Sequence, residues 1–122
     1  MSRILKYKES LHRFIKEKSC LTEDNFVNTQ TNSYIYSIIK DDDLIMSILM
    51  LTVMNNQNKK NHKSMQGYYV ASCIEFLNVV INIIEKRHDI INKNGNDFYI
   101  KMYNNLINYS SKSLNQNLES IK

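Results

Sequence analysis

Apolar residues recur along this chain at helical spacing, and the longest such stretch runs from Ser64 to Gly95 with no proline in it. On a 3.6 period Ser72, Glu75, Asn78, Asn82, Lys86, Asp89 and Lys93 form one thin polar stripe. Tyr69, Val70, Cys73, Ile74, Phe76, Leu77, Val79, Val80, Ile81, Ile83 and Ile84 cover the remaining arc, so the pattern predicts a long central helix enclosed on most sides. Ser64 is placed to cap its first turn, and Asn94-Gly95 supplies residues that tolerate a left-handed C-cap. The polar stripe reads as facing solvent or a partner helix.

Four shorter patterns flank this helix. From Arg3 to Lys18, Ile4, Tyr7, Leu11 and Phe14, with Ile15 beside them, mark a narrow apolar face opposite a mainly basic one. Ser19 to Glu23 interrupts the pattern, with Thr22 or Asp24 as the next cap. Asp24 to Lys40 repeats apolar residues at Phe26, Val27, Tyr34, Ile35, Ile38 and Ile39, but its TQTNS centre has poor helix propensity and predicts a kink or a start as late as Ser33. Asp41, Asp42 and Asp43 then read as an N-terminus, one capping and the others meeting the positive end of the helix dipole. The helix they introduce, Leu44 to Met54, is apolar on nearly every side and predicts burial as deep as that of the central helix. Asn55 to Lys63 is a polar loop. After Gly95, Asn96 or Asp97 caps a last helix from Phe98, with Tyr99, Tyr103, Leu106 and Ile107 on one face and Leu114, Leu118 and Ile121 continuing it. That spacing is still running at Lys122, as in a frayed tail or a chain cut short of its natural end.

These patterns predict an all-α fold: residues 1–122 as one domain, a bundle of about five helices around the central one. Composition agrees. The 122 residues are 43% apolar and 23% charged, which argues against disorder, and only Gly67 and Gly95 could interrupt a helix in a chain without proline. A domain of this length buries roughly two thirds of its unfolded surface without needing metals or disulfides. The excess of Ile, Asn, Lys and Tyr points to an A+T-rich genome, as in large DNA viruses, some intracellular bacteria and some protists.

Charge and cysteine usage bear on partners and compartment. A net charge of +4 permits weak attraction to phosphate or anionic lipid, although solubility alone accounts for that much. Lys6, Arg13 and Lys16 on the first helix, with Lys59, Lys60 and Lys63 in the polar loop, are the candidate nucleic-acid contacts, diluted by Glu9 and Glu17 and without aromatic stacking platforms among them on the basic face. Cys20 and Cys73 lie far apart without neighbouring ligand residues, which favours a reducing, intracellular compartment, and the charged N-terminus lacks the apolar core of a signal peptide. The window Met65 to Ile84 has the length to cross a membrane, but a single mid-helix Glu75 would cost about 2.5 kcal/mol or more there, taking Asp as the guide. No membrane span is expected.

Candidate chemistry is sparse. His12, His62 and His88 have no second His or Cys three or four residues away, so zinc spacing is absent and neither metal nor cofactor is expected. Phosphate loops, nucleophile elbows and inward carboxylate–histidine pairs are also missing. The charged group Glu85 to Asp89, at the end of the central helix, lacks a loop to form a pocket for acid–base work.

DDLIMSILMLTVM, a polar loop and YYVASCIEFLNVVINIIEKRHDII together resemble in rhythm the N-terminal half of the all-helical trans-prenyl diphosphate synthases, where an apolar helix precedes the helix bearing an aspartate-rich motif. Where that family places DDxxD this chain has His88-Asp89-Ile90-Ile91, and the basic lead into the apolar helix is missing. The resemblance covers about half the chain and implies a remnant that does not bind magnesium diphosphate.

The residues therefore predict a non-catalytic interaction or structural protein with a protein partner, self or heterologous. A nucleic-acid accessory role is the alternative. Counting apolar faces gives the partner: two helices apolar nearly all round have only three amphipathic helices to cover them. Tyr99, Tyr103, Leu106, Leu114 and Leu118 of the last helix are the candidate interface.

Overall fold

The computed structural model describes residues 2–18, 29–57 and 65–121. Among these the fold is all-α, with six helices: α1 (Ser2–Lys18), α2 (Thr29–Asp41), α3 (Ile45–Gln57), α4 (Met65–Glu85), α5 (Arg87–Asn94) and α6 (Asn96–Ile121). Helix α4 is central. It lies along α6 and α3 and also meets α1, α2 and α5. Phe76, Val79, Val80 and Ile83 of α4 join Leu11 and Ile15 of α1, Ile35 and Ile39 of α2, Leu44, Ile48 and Leu51 at and along α3, and Met102, Leu106 and Tyr109 of α6 in one core. Phe14 adds an edge contact to Tyr69 with ring centroids 5.0 Å apart, fastening α1 to the start of α4.

The expected single helix over residues 64–95 is two helices, bent at Lys86 (φ −99°, ψ 17°). The bend costs little pairing, because the Lys86 amide still donates to the Asn82 carbonyl at 3.1 Å and the Ile90 amide to the Lys86 carbonyl at 3.0 Å. At its far end Gly95 has φ +96° and ψ 160°, a conformation essentially reserved for glycine, and donates to the Ile91 carbonyl. The last helix begins at once, at Asn96 rather than Phe98, with the Tyr99 amide donating to the Gly95 carbonyl at 3.3 Å. One glycine is thus the whole joint between α5 and α6.

The three aspartates are placed differently from the expectation. Asp41 ends α2, and α3 begins at Ile45 with no acidic residue in its first turn. Leu44 takes the capping position instead: its carbonyl accepts from the Ile48 amide at 2.8 Å, and its own backbone is left-handed (φ 57°). That conformation is unfavourable for a leucine, and full burial of the side chain in the core offsets it. Helix α2 already runs at Thr29, so the TQTNS segment is helical, because Asn105 of α6 donates to Thr31 at 3.3 Å and Tyr109 donates to Asn32 at 2.7 Å. Tertiary bonds override weak propensity there. The caps expected at Thr22, Asp24 and Ser64, the break at residues 19–23 and the loop residues from 58 onward lie outside the described residues.

Candidate interaction face

The core leaves a large amount of apolar side chain in solvent. Along α3, Ile45, Met46, Leu49, Met50 and Val53 recur at helical spacing and are all exposed, while Ser47, Ile48 and Leu51 on the opposite side are buried. On α4, Leu77, Ile81 and Ile84 form a second exposed row. Both helices are therefore less enclosed than their composition predicts, because α3 is covered on one side only and α4 is shared among neighbours that leave this row open. Helix α3 runs antiparallel to α4: Ser47 meets Glu75, while Ile45 and Met46, two and one residues earlier on α3, share a groove with Ile81 and Asn82, six and seven residues later on α4. The two exposed rows accordingly meet at the Ile45–Ile81 end.

At that end lies the groove itself, about 570 Å³, with Asp41, Asp42, Asp43 and Glu85 on its rim beside Lys86 and with Ile38, Val79 and Ile81 supplying apolar wall. Just behind it Glu75 is fully buried against α3, so that of the two roles open to the polar stripe it takes the one facing a partner helix. Ser47 Oγ donates to Glu75 Oε2 at 3.2 Å, and among the described residues Oε1 receives no donor. Burial in the first place, and then the hydrogen bond and negative charge of the Asp42 carboxyl, push the Glu75 pKa up from 4.5 to about 9, with Ser47 and Asn78 pulling the other way. At neutral pH Glu75 is a neutral acid, and its proton supplies the donor that a carboxylate pair lacks. Asn82 Oδ1, also buried, has no hydrogen-bond partner among the described residues. The aspartate run thus serves the α2–α3 joint through Asp42 and Glu75 rather than the dipole of α3.

The candidate interface residues on α6 divide between core and surface. Tyr99 and Leu106 belong to the chain's own core, Tyr103 is half buried against it and Leu114 is exposed; the side chain of Leu118 lies outside the description. The inward series is Tyr99, Met102, Leu106, Tyr109 and Ser113, with Ser110 beside it. Serines hold the inner face at this level, where α6 runs closely along α4: the Ser110 hydroxyl donates to the Cys73 carbonyl at 3.2 Å, and the Cys73 thiol, 3.0 Å away, can donate to Ser110 Oγ. Ile100, Ile107 and Leu114 are left facing out.

Of the candidate nucleic-acid contacts, Lys6, Arg13 and Lys16 are exposed on α1, whereas Lys59, Lys60 and Lys63 lie outside the described residues. His12 Nε2–H donates to the Ile39 carbonyl at 3.1 Å, a bond that joins α1 to the end of α2. Among the described residues no three His, Cys, Asp or Glu side chains are grouped to hold a metal ion. His88 and Asp89, at the position compared with an aspartate-rich motif, are exposed on α5, and Ile90 is in the core. Among the described residues one helix, Gly67–Glu85, is long and apolar enough to cross a membrane by length and composition, and 44% of that stretch is buried. No protein family, curated protein or solved structure matches the chain.

Proposed function

We propose that this is a non-catalytic helical interaction protein that self-associates through the outward apolar face of α3 and α4. The observation that carries the reading is the pair of exposed rows, Ile45, Met46, Leu49, Met50 and Val53 with Leu77, Ile81 and Ile84. Their combined exposure equals about four whole residues, on the order of 700 Å², over two rows that meet at one end. It is close to the ~800 Å² that each partner contributes to an ordinary stable interface. A reducing intracellular compartment suits the Cys73 thiol, which is held by Ser110 and has no described cysteine to pair with.

Sedimentation at micromolar concentration tests the reading. The expected result is a discrete species above the 14.4 kDa of one chain. A clean 14.4 kDa monomer that does not aggregate overturns self-association. The exposed Lys6, Arg13 and Lys16 support a second reading, nucleic-acid binding by α1. Binding through these three side chains would fall with salt on a log–log slope of about −3 or shallower, and a retention signal indifferent to salt removes it.

A further inference from the structure

The self-association reading leaves the arrangement of the two copies open, and charge on the same helix restricts it. Asp41 and Asp43 stand exposed immediately before α3, and Glu85 lies across the groove from them, so the apolar row on α3 has one strongly acidic end. A parallel pairing of two α3 helices, or a two-fold axis near Ile45, would bring these carboxylates against their own copies in a partly desolvated rim, where like charges repel most. We infer that two copies pair through α3 in antiparallel fashion, about a two-fold axis near Leu49 and Met50.

Three features favour this arrangement. The exposed row runs from Ile45 to Val53 and is centred on Leu49 and Met50, so inversion about its middle sets Ile45 of one copy against Val53 of the other and covers the row along its whole length. With a rise of 1.5 Å per residue, Asp43 lies about 10 Å from that centre, and the two Asp43 carboxylates end up roughly 20 Å apart, about two Debye lengths at physiological salt. Ile81 of α4, which shares a groove with Ile45, extends the apolar surface of each copy past the end of the row.

The proposal rests on the self-association reading, and cysteine cross-linking separates the two. In a chain with Cys20→Ser and Cys73→Ser, single cysteines are placed at the exposed positions Ile45, Leu49 and Val53, and each variant is checked by circular dichroism and sedimentation before oxidation. Leu49→Cys is expected to shift almost wholly to dimer mass on a non-reducing gel. Ile45→Cys and Val53→Cys should stay monomeric on the gel when oxidised alone and cross-link when mixed, since a disulfide forms only where Cα atoms approach to about 4.4–6.8 Å. Self-linking of Ile45→Cys that exceeds its linking to Val53→Cys would overturn the antiparallel arrangement. So would a sedimenting dimer in which none of the three positions links. A protein that sediments as a monomer throughout fails the self-association reading itself.

Discussion

Glu75 is the residue whose environment departs furthest from its chemistry. Its folded pKa of about 9 exceeds the unfolded 4.5, so the native state binds a proton that the unfolded chain gives up between those values. Stability from this group is therefore fully present below pH 4.5 and declines as pH rises towards 9. Glu75→Gln keeps the shape, offers an amide donor towards Asp42 and cannot ionise. It should raise the melting temperature at pH 7, with a gain on the order of 2–3 kcal/mol, and the gain should vanish near pH 4; a variant less stable than the parent at pH 7 contradicts the neutral-acid account. The sequence showed Glu75 on a polar stripe with Ser72, Asn78 and Asn82 and so marked it as unusual in an apolar helix. It could not show that the stripe's first half turns inward, because that depends on Asp42 and Ser47, which reach it from 33 and 28 positions earlier in the chain.

Among the elements, the helices themselves were legible wherever a 3.6-residue period was uninterrupted, and their joints were not. Gly95 was read as a stop signal, and the structure makes it a one-residue hinge point between α5 and α6. Nothing lies within 4 Å of where a Cβ would stand, so Gly95→Ala meets no clash, and its cost is that of the backbone conformation alone. We expect a loss of about 1–3 kcal/mol in urea denaturation, with helix content unchanged below the transition; an unaltered midpoint would mean that the joint adopts another conformation in solution. Leu44 carried no warning at all, since a left-handed leucine follows only from how α2 and α3 meet. The inner face of α6 was legible only in part for a related reason: apolarity marked Tyr99 and Leu106, which are buried, but not Ser110 and Ser113, the small residues that close packing on α4 selects. Hydrophobic period locates a helix more securely than it locates the inner face of one.

For the molecule as a whole, the excess of apolar helix surface was visible in the sequence, but its position was not. A helix apolar on every side, such as α3, gives no sign of which side its neighbours will take. Met46→Glu combined with Leu49→Lys, both at exposed sites, should leave the circular dichroism spectrum and melting temperature nearly unchanged while returning the assembly to monomer mass. Loss of folding instead would show that the row is part of the chain's own core. The hydrogen bonds from Asn105 to Thr31 and from Tyr109 to Asn32 close loops of 74 and 77 positions, whereas α4, α5 and α6 follow one another with joints of a single residue. Order of assembly follows from this difference. Local contacts close quickly and long loops late, so the α4–α6 arm should form on the way to the folding barrier and the α2 latch after it. Tyr109→Phe would then accelerate unfolding and leave the refolding rate almost untouched, so that the lifetime of the native state is governed at the latch and its birth at the arm.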